Sequence, residues 1–300
     1  MFNIPNNVIY FQDSLNGIFG GYGLEENPNS KNLDRIDMYP IIYKTNSLGK
    51  EYEKIDLPKQ ILGNVHKLYF KDSVIFAQID ETIYKSNNLG KSWDKIFTGL
   101  IETYNLNFTN QNSFLSIIRG RKNKYLIRYE NNKIDTIKTL DYKDYNLTNT
   151  NLYSWKEDKK DYKTNKLLIQ NLKFENSYTI NFKNPETIKY IFELEPKKSI
   201  IVNENSIIQY FENRTKTIYP KFYNKYYLKD FLANKNILIA ICKEINSKNS
   251  ITDDYYFISY DYGNNWKLLQ VENGSNRTKF LYDNKMLISF DGGGLQYLIL

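Results

Sequence analysis

Tyr43 to Tyr52 reads YKTNSLGKEY, Tyr84 to Trp93 reads YKSNNLGKSW, and Ser259 to Trp266 reads SYDYGNNW. The second stretch follows the first by 41 residues, and Ser259 follows Ser86 by 173, about four more units of that length. Each stretch has a hydroxyl, then a short polar side chain two residues on, then a glycine. A polar side chain in that position can bond the N–H groups of its own turn, and Gly49, Gly90 or Gly263 can take a left-handed backbone without a Cβ clash. Trp93 and Trp266 can then bury a large ring against a neighbouring sheet.

Short apolar runs bounded by Asn, Asp, Gly and Lys continue between these turns, as successive antiparallel strands should. First strands are expected at Val8–Phe11, Lys67–Phe70, Asn105–Phe108, Tyr145–Asn149, Ile188–Phe192, Tyr227–Phe231 and Lys279–Tyr282. Third strands are expected at Ile41–Lys44, Thr82–Lys85, Tyr125–Tyr129, Lys166–Gln170, Ser206–Phe211, Tyr255–Ser259 and Leu295–Leu300. No long helical periodicity competes with them.

The octets resemble the Asp-box (BNR) pattern, Ser-x-Asp-x-Gly-x-Thr-Trp, of propellers in sialidases, sortilin-like receptors and photosystem II assembly factors. The third copy keeps Ser259, Asp261, Gly263 and Trp266; the second has Asn88 for Asp, and the first has Thr45, Ser47 and Tyr52. The resemblance implies an all-β, seven-bladed β-propeller of four-stranded antiparallel blades, with six blades as the alternative if the weak fourth unit is not a blade. One domain over residues 1–300 is expected, because closed all-β folds often use this length as one unit. Because Ser47 and Asn88 replace the carboxylate, the boxes read as structural staples and not as metal sites.

Resemblance to sialidases would also imply an arginine triad, a Tyr and Glu nucleophile pair, an Asp acid, and an Arg-Ile-Pro motif at the first blade. Asn6, Asn7 and Val8 stand where that motif would start. Arg35, Arg119 and Arg277 come from loops or turns, where positioning is poor for catalysis. The sole histidine, His66, has no nucleophile elbow beside it, and Cys242 sits in an apolar run with no reason to be a thiolate. Zinc-ligand spacings are missing, and Asp291 to Gly294 (DGGG) reads as a hairpin turn, not a phosphate cradle. No catalytic set, metal or cofactor is therefore expected.

Net charge is +7, hydrophobic residues are 41% and aromatics 16%, with 27 Tyr and 17 Phe, which suits a large strand-built core. Lysine supplies most of the positive charge. The densest basic stretch, Lys156 to Lys166, is interrupted by Glu157, Asp158 and Asp161, so nucleic acid is disfavoured as a partner. A single cysteine permits no internal disulfide, and no run approaches a membrane span. If Met1 is the native start, a cytoplasmic protein is expected.

Function is expected where connections exceed a tight turn. The second-to-third connections are long in three units: Gly23 to Pro40, Trp155 to Asn165 and Lys243 to Asp254, all on one predicted face. Candidate binding residues are Glu25, Glu26, Arg35, Asp37, Tyr39, Lys243, Glu244, Asp253 and Asp254. Their mixed charge suits a polar protein interface. The expected function is non-enzymatic protein binding, for example as the inhibitor or immunity partner of a toxin, with the positive charge favouring an acidic partner. A carbohydrate-binding or glycoside-hydrolysing propeller is the alternative.

The last unit stops after three strands, and an open sheet edge invites aggregation. Phe2–Ile4 is the expected closing strand. Deleting Met1 to Pro5 should therefore lower thermal stability well beyond the loss of a frayed tail; an unchanged melt contradicts closure.

Overall fold

A computed structural model describes residues 6–27, 36–99, 101–140, 144–157, 160, 163–173, 175–195, 197–245, 253–272, 279–282, 285–289 and 295–300. The chain is an all-β β-propeller of antiparallel blades. The first comprises β1 (Asn6–Phe11), β2 (Gly17–Glu26), β3 (Ile36–Thr45) and β4 (Glu53–Ile55). The second comprises β5 (Val65–Lys71), β6 (Val74–Ile79), β7 (Thr82–Ser86) and β8 (Asp94–Thr98). The third comprises β9 (Ile101–Asn110), β10 (Ser113–Arg119), β11 (Lys124–Glu130) and β12 (Lys133–Leu140). The fourth comprises β13 (Asp144–Leu147), β14 (Asn151–Trp155), β15 (Thr164–Asn171) and β16 (Ser177–Glu186). The fifth comprises β17 (Ile188–Glu195), β18 (Lys198–Asn203), β19 (Ile207–Phe211) and β20 (Arg214–Ile218). The sixth comprises β21 (Tyr226–Asn234), β22 (Ile237–Glu244), β23 (Asp254–Ser259) and β24 (Lys267–Glu272). The last sheet is β25 (Lys279–Tyr282), β26 (Lys285–Ser289) and β27 (Leu295–Ile299).

Among the described residues there are thus six four-stranded sheets and a seventh of three strands, each in sequential order. Six blades are complete, the number given as the alternative, but the weak fourth unit is one of them, and the incomplete sheet is the last. The seventh sheet stops after three strands, as expected. Phe2–Ile4, proposed to close it, lies outside the described residues. All the expected first and third strands fall on strands, with ends within a few residues.

Two compact units divide the chain. The first, Met1–Leu140 with Arg277–Leu300, holds the first three blades and the three-stranded sheet; the second, Asp141–Asn276, holds the other three. In each unit the second strands of blades are the most buried. All six residues of β6 (VIFAQI) are buried, as are Ile237 to Cys242 of β22. A strand packed on both faces reads as a continuous apolar run, not an alternating one. Outer strands do the reverse: the first four residues of β20 (RTKTI) are exposed.

Blades adhere through these apolar faces. Ile18 and Ile42 of the first blade pack against Val65, Leu68, Ile75 and Ala77 of the second. In the other unit, Ile200, Val202 and Ile207 pack against Leu238, Ala240 and Cys242. Each fully buried aliphatic side chain contributes about 1.5–3 kcal/mol.

The three octets form the turns between third and fourth strands, and they share one hydrogen-bond set. Gly49, Gly90 and Gly263 donate their N–H to Thr45 Oγ1, Ser86 Oγ and Ser259 Oγ, each at 2.8 Å. The next polar side chain accepts the N–H four residues on: Glu51 to Ser47 at 2.8 Å, Ser92 to Asn88 at 2.9 Å, and Asn265 to Asp261 at 2.9 Å. The residue before each glycine is left-handed too, with Leu48, Leu89 and Tyr262 at φ 56, 58 and 59°. That turns its N–H inward in two copies, where Leu48 donates to Leu15 O and Leu89 to Ser73 O, both in the blade's first hairpin turn.

The same turns hold neighbouring blades together. A Cβ on Gly90 would lie 2.1 Å from Ile55 Cγ2 of the preceding blade, and Gln209 Nε2 of the fifth blade donates to Tyr262 O of the sixth at 2.9 Å. Trp93 packs on the core between the first two blades, and Trp266 on that between the fifth and sixth. In the first copy Tyr52 instead meets Tyr43 and Phe19 of its own blade edge-on.

Burial alone would raise the Asp261 carboxyl, but hydrogen bonds from the Asn265 backbone and side chain and from Ser259 outweigh it and hold the pKa below the usual range. Its stabilisation is therefore present at neutral pH and lost as pH falls through that lowered value. Ser86→Ala or Ser259→Ala, which orphans a buried glycine N–H, is expected to cost about 1–3 kcal/mol in urea unfolding. Asp261→Asn should cost under about 1 kcal/mol at pH 7, because Asn88 already makes the same bond elsewhere, and nothing in strong acid. A serine variant with wild-type stability contradicts this account.

Candidate functional site

Half of the connection spanning Gly23 to Pro40 extends the sheet, through Gly23 to Glu26 and Ile36 to Pro40. β2 and β3 pair without interruption from Gly17 with Thr45 to Glu26 with Ile36. β1 leaves β2 at Gly21, and β4 leaves β3 at Ile42. Beyond those points the two strands continue as a ribbon with no other strand paired to it among the described residues, roughly 17 Å along β2 at a strand's rise per residue. A lone two-stranded hairpin is marginal in water, so this one needs anchors. Tyr39 packs on the first-blade core, and its ring lies where a Cβ of Gly23 would stand, 2.3 Å from Tyr39 Cζ. Gly63, in the connection between the first two blades, donates its N–H to Met38 O at 2.8 Å.

Strand alternation gives the ribbon two unlike faces. One carries Leu24 opposite Met38, with Ile36 diagonal to Leu24. They are 60%, 37% and 38% exposed, and Leu62, beside the anchoring Gly63, is 51% exposed. The other face carries Glu25 directly opposite Asp37. Like charges in direct cross-strand register destabilise a hairpin; here Asn27 Nδ2 donates to the Asp37 carboxylate. Glu26 is exposed at the end of β2. Arg35 lies outside the described residues.

The end of the second blade continues this region. Asp80, in the turn between β6 and β7, accepts the Asn64 N–H at 3.0 Å and contacts His66 Nε2 at 3.3 Å. His66 therefore braces a turn. Among the described residues its side-chain polar contact is a carboxylate and not a serine.

The sixth blade treats its four candidates differently. Asp254 is 1% exposed, and Lys229 Nζ of β21 donates to both its oxygens at 3.0 and 2.7 Å. It is an internal counter-charge for a lysine of the blade's first strand. Glu244 pairs with Lys225 at 3.2 Å; Lys243 and Asp253 are half-buried. Cys242 is fully buried, and burial, reinforced by the Asp254 carboxylate, pushes its thiol up to about 12. It is no nucleophile at neutral pH. In the fourth blade, Trp155 is buried and donates to Glu157, while Lys156, Lys160 and Lys163 face solvent.

Lys67 was not singled out by sequence. It donates from β5 to Leu106 O of the third blade's first strand, and burial pushes its pKa down to about 8. Nor was the apolar stripe of Leu24, Met38 and Ile36, although the alternation of Ile36, Asp37, Met38 and Tyr39 is a strand signal. Among the described residues no three His, Cys, Asp or Glu side chains are grouped to hold a metal, and no helix is long and apolar enough to cross a membrane.

No family model matches the chain, and no curated protein matches it. Solved propellers do. The chain is similar to YCF48 bound to D1 peptide, at 10% identity, TM-score 0.54, covering 81% of this chain and 92% of that one. It is similar to YCF48 from Cyanidioschyzon merolae, at 10% identity and TM-score 0.51 over 97% of both chains. It is also similar to the β-propeller domain of Myceliophteria_thermophila Cps50 (Swd1), at 9% identity and TM-score 0.54 over 98% of both. Likeness at this identity establishes the fold and nothing finer.

Because Asp254 answers a lysine that is itself only 23% exposed, Asp254→Ala is expected to cost on the order of 3 kcal/mol. Adding Lys229→Met should recover much of that loss. If Asp254→Ala unfolds in denaturant like the wild type, the pair is not structural.

Proposed function

We propose that this chain is a non-enzymatic, protein-binding propeller that engages its partner through the blade ends carrying the second-to-third connections. One observation carries the reading: the first-blade ribbon runs past its described sheet neighbours and presents Leu24, Met38 and Ile36 to solvent beside Leu62. Scattered exposed apolar residues are ordinary, but a contiguous stripe with a charged rim is what a protein interface presents. Burying it on a partner recovers hydrophobic free energy that the free protein forgoes.

The exposed carboxylates of Glu25 and Glu26 supply a charged rim that basic groups of a partner would complement. Net charge and local charge then act at different stages. The overall +7 draws a partner of acidic overall charge into encounter, and the ribbon's carboxylates fix register through basic groups at the contact. We read the three third-to-fourth strand turns as Asp-box repeats that serve architecture at the opposite sheet ends. An inhibitor or immunity role toward a toxin, in the cytoplasm, is a specific form of this proposal. The similar structure of YCF48 bound to D1 peptide is compatible with peptide recognition on such a fold.

The test is affinity capture with tagged protein, the partner identified by mass spectrometry, followed by titration of that partner. Leu24→Ser with Met38→Ser should weaken binding by about 2–4 kcal/mol with little change in thermal stability. Exchange of residues 23–40 for a short turn should abolish it. Undiminished binding by either variant places the interface elsewhere. Glycan-array binding or sialoside hydrolysis by the wild type would favour the carbohydrate reading instead.

A further inference from the structure

A groove of about 430 Å³ lies within the second unit, between the outer strand of the fourth blade and the last two strands of the fifth. Ligand pockets generally span about 300–1,000 Å³. Its floor is apolar: Ile180 and Phe182 of β16 face Ile208 of β19. One wall is formed by Thr215 and Thr217 of β20, which pair across the blade with Tyr210 and Ile208. These short side chains stand where larger ones could have filled the space between the blades, so the groove stays open.

Its mouth is polar. Glu186 sits there at the end of β16, with Tyr219, 62% exposed, just beyond β20. The Glu186 carboxylate is held in place: Ser206 Oγ, fully buried, donates to Oε2 at 2.8 Å and accepts from the equally buried Asn203 Nδ2 at 3.0 Å. Such a relay fixes the orientation of a side chain that must meet a ligand. Oε1 is left over. Among the described residues, no hydrogen bond to it and no ammonium or guanidinium within ion-pair distance is found.

A trough with an apolar floor, threonine walls and one anchored carboxylate at its mouth selects against anions and against purely apolar ligands. It suits an aliphatic stem ending in a cation, whose methylenes lie on Ile180, Phe182 and Ile208 while the head reaches Glu186. The exposed Tyr219 ring can cover the stem or the cation. We propose that this groove is a binding site for an alkylammonium or alkylguanidinium group, presented as the Lys or Arg side chain of a partner segment. The inference is independent of the ribbon, which lies in the other unit.

Isothermal titration at about 0.1 M salt, where charge pairs are only partly screened, compares blocked Leu-Lys-Leu and Leu-Arg-Leu tripeptides with Leu-Gln-Leu, and with agmatine and cadaverine. The Lys and Arg peptides should bind about tenfold or more tighter than the Gln peptide. Glu186→Gln, which keeps an acceptor for Ser206, should reduce them to the Gln peptide's level with an unchanged melt. Thr217→Trp, which fills the groove and spares Glu186, should abolish binding of all three. Agmatine binding as tightly as the Arg peptide would support the same chemistry with a free amine as its source. Lys and Gln peptides within about twofold of each other, full affinity in Glu186→Gln, or no saturable heat from any probe overturns the proposal. Loss of partner capture through the ribbon variants, with tripeptide binding intact, would separate the two sites.

Discussion

A hydroxyl at the end of a third strand, accepting the buried N–H of a left-handed glycine four residues later, sets the geometry on which the first, second and sixth blades depend. The bond lets the chain reverse from third to fourth strand within a few residues while leaving no backbone donor orphaned. Left-handed Leu48, Leu89 and Tyr262 add a second consequence. Their backbone groups point away from their own turn, toward the blade's first hairpin in two cases and toward the preceding blade in the third. One local conformation therefore serves turn, blade and blade-to-blade contact together. It explains why the carboxylate is dispensable: Thr45, Ser86 and Ser259 satisfy the glycine, and Ser47, Asn88 and Asp261 need only offer an oxygen.

With one sheet end committed to architecture, the other is free to vary. The first blade extends two strands beyond their described neighbours, and it is this extension that the proposed function uses. Leu24 and Met38 stay wet, and Glu25 opposes Asp37. Gly23 and Gly63 bring the ribbon against Tyr39 and the inter-blade connection, so it is held in place without being buried. The fourth and fifth blades vary by subtraction, small threonines leaving a trough above which Glu186 is fixed.

Much of the fold was legible because its signals are local. Each first and third strand announces itself as a short apolar run between turn residues, and three in-phase octets name the turns. The second strands were harder to place by alternation, since VIFAQI and ILIAIC are buried on both faces and carry no period. The site was less legible. Counting residues between strands finds that Gly23 to Pro40 is long, but only the pairing of Leu24 with Met38 shows it to be a ribbon with an apolar face. Asp254 looks in sequence like one more acidic loop residue after Asp253. Its role depends on Lys229, 25 residues earlier, which the sheet register brings beneath it. Glu186, Ser206 and Tyr219 are likewise scattered along the chain and meet only where two blades face each other.

Hydrogen–deuterium exchange of the free protein and of its complex with a captured partner tests the central claim most directly, because it reports every backbone segment at once. The account predicts slowed exchange across Tyr22 to Asn27 and Ile36 to Pro40, with the turns at Thr45 to Tyr52, Ser86 to Trp93 and Ser259 to Trp266 unchanged. Protection confined to those three turns, with the ribbon exchanging as in the free protein, would contradict it.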